Sequence, residues 1–446
     1  MSKSDKRGNP VSYHSQAAID ALDRAFELLA AYQADPMAAV DAIVAEHPDF
    51  ALAHAFRAGM FATATDKAFE PELVKSVKAA EALAGKANGR ERHYISAARA
   101  WLDGDFERGV EQWGRASIDY PRDLPALQFA HVGDFFLGYS NMLRDRVARV
   151  LPHWDRSVPG YGFVQGMYAF GLEESGDYAQ AEDIGREAYA LNPQDGWAAH
   201  AVAHVMEMQG RAKDGIDFLG KTVGGWSPNS LFAYHLFWHK ALFHIDANDF
   251  ASALKLYDEN VSAGGFAQAL ELLDGSALLW RLQLLGHDVG ERWSILADKW
   301  ETRLDDAYFV FNDANAMMAL VGAGRSDAQK RLIAAVKRAA HAPGTNGMMS
   351  REVGLPACEG LAAFGRGDYA KAIEFLSPVR AKANRFGGSH AQRDMFSWTL
   401  TEAAIRAGER ALADAFVAER LSWKPESPVN RAWAKRAEKL KTKLVA

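Results

Sequence analysis

The sequence predicts an all-α protein built from about eleven helical hairpins in tandem, and three observations carry that reading. Apolar residues recur at intervals of three and four, as in "AAIDALDRAFELLAAY" (Ala17 to Tyr32) and "AQAEDIGREAYALNP" (Ala179 to Pro193), which is the period of an amphipathic helix. The alternation that marks strands is rare. Short turn signals also recur, at Gly104, Gly138, Gly176, Gly210, Asn248, Gly286, Gly324, Gly367 and Gly408, spaced by 34, 38, 34, 38, 38, 38, 43 and 41 residues. Finally, 446 residues exceed the roughly 250–300 at which a single core stops growing, so the chain needs several domains or a repeat array.

Taken in order, the repeat units follow a common register. After Phe106 come Gly109, Trp113, Ala116 and Pro121; after Tyr178 come Ala181, Ala188 and Pro193; after Phe250 come Ala253 and Tyr257; after Tyr369 come Ala372 and Leu376; and Gly408 is followed by Ala413 and Pro425. Small residues let two helices approach at their crossing, and the bulky residue fills the seam between units. This is the tetratricopeptide pattern, and it predicts a TPR-like α-α superhelix (solenoid) over residues 17–423. Earlier hairpins are expected around Asp35-Pro36 and Thr65-Asp66. Residues 1–16 read as a flexible tail. Residues 424–446, with seven basic and two acidic residues, read as a solvated C-terminal capping helix.

Composition excludes several functions. A formal charge of −6 over this length makes no field that would gather nucleic acid or an acidic membrane surface. The single cysteine, Cys358, allows no internal disulfide and no thiolate zinc cage. There is no apolar run of 18 residues and no signal-like start, so the expected compartment is the cytoplasm. Oligomeric state is not legible.

"GIDFLGKTV" (Gly215 to Val223) spells a phosphate-binding loop, G-x-x-x-x-G-K-[ST]. Such a loop needs a strand before it and a helix after it. Here the hairpin register puts Gly215 and Leu219 at the small and bulky crossing positions inside a second helix, and leaves Lys221 in solvent.

Histidine is the informative residue. "HAVAHVMEMQG" sets His200, His204 and Glu207 at i, i+4 and i+7, which brings them within about 60° of one helix face. The next unit, "HLFWHKALFHID", adds His235 and His239. In this register the positions line a concave groove. His200, His204, His235 and His239 offer imidazoles to a divalent metal (Zn, Fe or Mn), or a base with a partner that orients it. Ala201 replaces the glutamate of H-E-x-x-H, so a zinc-protease mechanism does not transfer. Further polar groups punctuate apolar first helices: His131 and Asp134, Asn312 and Asp313, Arg351 and Glu352, and His390, Arg393 and Asp394.

These stretches resemble the tetratricopeptide repeat protein 38 family. The resemblance rests on "RERHYISA" from Arg90, "LGYSNMLRDRVARVLPHW" from Leu137, "GMYAFGLEESGDYAQAE" from Gly166, "AVAHVMEMQG" from Ala201, "HLFWHKAL" from His235, "FNDANAMMAL" from Phe311, "REVGLPACEGL" from Arg351 and "GGSHAQRDMF" from Gly387. It implies an all-helical tetratricopeptide-like solenoid and transfers no catalytic residue.

Two functional readings follow. In the first, the groove around His200, His204, Glu207, His235 and His239 binds a peptide, a protein or a small molecule. In the second, late repeats carrying Asp313, His390 and Arg393 close over the histidines, and the pocket is that of a metal-dependent or histidine-based enzyme, a hydrolase acting on a small molecule.

Overall fold

The computed structural model describes residues 3–440 and is all-α, with the helices paired in antiparallel hairpins. Two compact units divide the chain: 1–202 with 222–233, and 203–221 with 234–446. The first contains five hairpins, Gln16–Ala30 with Pro36–Glu46, Ala51–Thr63 with Glu70–Ala82, Gly89–Leu102 with Phe106–Asp119, Leu124–Leu137 with Ser140–Val150, and Tyr161–Glu174 with Tyr178–Leu191. The second contains Ala233–Asp246 with Phe250–Leu256, Ala269–Leu284 with Arg292–Glu301, Val310–Gly322 with Ser326–Ala340, Leu355–Gly365 with Tyr369–Arg380, and His390–Arg406 with Arg410–Trp423, followed by Pro428–Glu438. The residues of the sixth hairpin, Gly196–Met208 with Ala212–Trp226, divide between the two units. Eleven pairs are thus present among the described residues.

The turn signals work as expected. Gly104, Gly138, Gly176, Gly210, Gly286, Gly324, Gly367 and Gly408 all have positive φ, as does Asn248. This is the left-handed residue that ends a helix, which glycine adopts without strain. In several units the aspartate that follows caps the next helix: Asp105 accepts from Arg108 N, Asp249 from Ser252 N and Asp368 from Lys371 N. The recurring Gly-Asp-aromatic triplet is therefore a stop, a start and the first core residue. The small crossing positions Ala181, Ala253, Ala372 and Ala413 and the bulky positions Trp113, Leu219 and Leu376 are all fully buried. An all-α repeat of tetratricopeptide type is the fold class.

The termini depart from expectation. Residues 3–15 are an ordered part of the first unit: Lys3–Ser4 pairs with Pro10–Val11, and Asp5, Arg7 and Asn9 are buried. Their polarity is spent inside. Asp5 pairs with the buried Arg90 at 3.0 Å, Arg7 with Asp23 at 2.9 Å, and Asn9 donates to the Arg122 carbonyl. At the other end a helix forms, but it starts at Pro428 and buries Val429, Asn430 and Trp433. Lys424 sits in the preceding turn and is buried; residues 441–446 of the expected capping helix lie outside the described residues.

The loop-like motif is helix. Ala212–Trp226 runs through it unbroken. A Cβ at Gly215 would stand 2.3 Å from the Phe243 ring, so the glycine exists for helix packing, and Lys221 is exposed.

Candidate functional site

In the second unit, the start of the site is set by Gly196–Met208, whose last turns carry His204 and Glu207, and by Ala233–Asp246, which carries His235 and His239. The helical repeat spacing aligns each set on one face. The ring centroids of His204 and His239 lie 4.5 Å apart, those of His235 and His239 4.8 Å, and the donor nitrogens of the three all fall within 4.8 Å of one another. Their relative exposures are 0%, 0% and 8%, so these side chains are interior rather than lining an open groove as the repeat register predicted. Burial holds the His239 imidazole well below its usual pKa, with His204 and His235 adding to the effect, so it stays neutral with a lone pair to give.

A carboxylate fixes the second of these rings. Asp274, on Ala269–Leu284, places Oδ2 2.6 Å from His235 Nδ1, and Trp238 stacks on the same imidazole at 5.2 Å. The contact selects the tautomer, because Nδ1–H donates to the carboxylate and Nε2 keeps the lone pair. Burial raises the Asp274 pKa, and His235 opposes it.

Charge is concentrated beside the histidines. Lys424 Nζ donates to Glu207 Oε1 at 2.7 Å and Asp246 Oδ2 at 3.2 Å, and Ser427 donates to Asp246 Oδ1. Although burial opposes its charge, these two carboxylates hold the Lys424 pKa above its ordinary value. Glu207 Oε2 is buried and has no hydrogen-bond partner among the described residues. Arg420 grips Asp394 with two bonds of 2.7 and 3.0 Å, and this outweighs burial to bring Asp394 down to about 2.

The remaining predicted residues divide. His390 lines a cavity of about 20 Å³ with Glu207, Asp394 and Lys424. Arg393 donates to the Gly388 carbonyl, so its cation caps a local turn. Asp313 is buried in the Val310–Gly322 helix, electrostatically coupled to Asp306 and Cys358, and does not join the histidine donor set. Burial pushes it to about 8.

The first unit holds the others. His200 packs on Phe170, Trp197 and Phe232 at 5.1, 4.9 and 5.1 Å. His131 packs on Phe170 and Trp197, and burial drives its pKa to about 3. Asp134 is a structural partner, bidentate to Arg146 at 2.6 and 3.1 Å.

Sequence reasoning does not single out Asp274, Arg281 or Lys424, and finds Asp246 only as the end of the apolar run "ALFHID". A signal existed for the first two: in "LLDGSALLWRLQLL" one acid and one base, Asp274 and Arg281, stand seven residues apart in an apolar helix, and that spacing sets both on one face. Nothing local marks Lys424, whose partner Glu207 is 217 residues away.

The fold and site define a helical-repeat protein of tetratricopeptide type with a buried histidine–carboxylate cluster. No family model matches the chain. It is similar to the tetratricopeptide repeat domain of P58(IPK), at 16% identity over 79% of this chain and 98% of that one, with a TM-score of 0.22. Among the described residues no helix is long and apolar enough to cross a membrane.

Proposed function

We propose that this chain belongs to the tetratricopeptide repeat protein 38 family, works in the cytoplasm, binds a divalent transition metal through His204, His235 and His239, and hydrolyses a small molecule there. One observation carries the reading: three buried imidazoles have their donor nitrogens within 4.8 Å of one another. The carboxylate behind His235 supports it, since metal-ligating histidines are normally oriented in this way. His200 stands one turn before His204 on the same helix. The family proposal rests on the motifs themselves, three of which contribute His204 and Glu207, His235 and His239, and His390 and Asp394.

Imidazole donors suit zinc or iron better than manganese. His204, His235 and His239 would hold the metal, which when bound would supply a water of lowered pKa as nucleophile. The chain's own residues would do the rest. Asp274 holds the His235 ring, and Lys424 anchors one oxygen of Glu207 so that Oε2 is left to accept a proton.

Metal analysis of the purified protein tests this. Stoichiometric zinc or iron, lost in His204→Ala/His239→Ala with the helical content intact, is the expected result; a metal-free protein that takes up no added zinc would sink it.

A second reading, a binding module for a peptide or small molecule, is favoured by a surface cleft of about 360 Å³ lined by Arg211, Lys213, Asp214, Asp246 and Glu426. That volume is within the range of ligand sites.

A further inference from the structure

We propose that Arg281 receives the carboxylate of a monoanionic ligand at the histidine site, an inference that rests on the metal reading above. Arg281 is 2% exposed. Its guanidinium donates to two carbonyls, Ala277 O at 2.9 Å and Ala391 O at 2.7 Å, and lies 5.5 and 5.9 Å from the ring centres of Trp238 and Trp398. It makes no ion pair among the described residues. Burying a guanidinium without a counter-ion is costly, and such groups are ordinarily paired.

The neighbouring carboxylates are already engaged. Asp394 is held by Arg420, Glu207 and Asp246 by Lys424, and Asp274 by His235. Each of these four interacts electrostatically with Arg281 at longer range, and Arg281 in turn acts on His239. The charges point the same way. Four carboxylates, Glu207, Asp246, Asp274 and Asp394, face three cations, Arg281, Arg420 and Lys424. A dication bound there would turn that deficit of one into an excess of one, which a monoanion cancels.

The chemistry selects a carboxylate. A guanidinium is a planar fork that matches the two oxygens of a carboxylate, and the flanking indoles restrict the plane in which the fork is offered. Ala391, whose carbonyl accepts from Arg281, also lines the cavity of about 20 Å³ that Glu207, His390 and Lys424 share. Space of that size admits about one water-sized group, so it could take at most one oxygen of a ligand's carboxylate and none of its bulk.

Calorimetric titration of acetate into the zinc-loaded protein tests the proposal. The expected result is acetate binding that weakens about 10- to 100-fold in Arg281→Met and less in Arg281→Lys, with zinc stoichiometry and helical content unchanged. Zinc-loaded protein that ignores acetate, or binds it equally well in Arg281→Met, overturns the assignment. Failure of the metal reading is separate, because it appears as absent zinc uptake before any acetate is added.

Discussion

His235 Nδ1 and Asp274 Oδ2 stand 2.6 Å apart in the interior of the second unit, on helices whose contact closes a loop of 39 residues. The acid aims the imidazole. Replacing Asp274 by Asn keeps the shape but removes the charge and permits the wrong tautomer. Zinc affinity, measured by competition with a chelator, is expected to fall about 10- to 100-fold. An unchanged affinity would mean that His235 is not a ligand.

Lys424 pairs with two buried carboxylates at once. Lys424→Met leaves both without a cation and should cost about 3–5 kcal/mol in urea denaturation. Adding Glu207→Gln and Asp246→Asn removes the stranded charges, so the triple variant is expected to recover part of that loss. If the single and triple variants are equally destabilised, the triad is not electrostatic in origin.

Asp313 gives the fold a pH dependence with a definite sign. Its pKa, about 8 in the folded chain because burial penalises the anion and Asp306 adds repulsion, exceeds its ordinary value of 3.8. The folded state therefore prefers the proton. Below pH 3.8 the residue costs nothing; the penalty grows as pH rises through the interval and is complete above about 8. Asp313→Asn should raise the melting temperature more at pH 8 than at pH 5. Equal shifts at the two values would contradict the assignment.

The N-terminal residues should behave as structure. Deleting residues 1–11 takes Asp5 from the buried Arg90 and Arg7 from Asp23. The expected loss is about 3 kcal/mol by denaturant titration. A truncated chain as stable as the whole would restore the view of this segment as a loose tail.

The motif at Gly215 should respond to volume and not to charge. Gly215→Ala puts a methyl group into the Phe243 ring and is expected to cost about 1–3 kcal/mol. Lys221→Ala, at an exposed position, should stay within about 0.5 kcal/mol. Nucleotide added to either variant or to the parent should leave the melting temperature unmoved.

Much of the fold was legible because most hairpins announce themselves locally. A left-handed glycine or asparagine ends the first helix, in the units at Gly104, Asn248 and Gly367 a capping aspartate and an aromatic follow it, and the small and bulky crossing residues come at fixed distances. The histidines were legible as a face for the same reason, since 3.6 residues per turn relates positions on one helix. Their burial was not. Whether a face meets solvent depends on what arrives from elsewhere in the chain, and Lys424 and Asp274 come from distant repeats. Asp313 illustrates the converse: it shares a helix pattern with the other candidates, yet it is buried without joining the histidine donor set. The N-terminal segment escaped because its charges looked solvated when in fact they answer buried charges more than 15 residues away.

The chain passes between its two units three times, after Val202, after Lys221 and after Ala233. A fragment ending at Val202 consequently lacks part of its own unit, including Phe232, which rests on Trp197 and His200. No single cut of the gene yields two intact halves. Any recombination that shuffles these repeats must carry the sixth hairpin whole, which makes it the least exchangeable stretch of an otherwise modular chain.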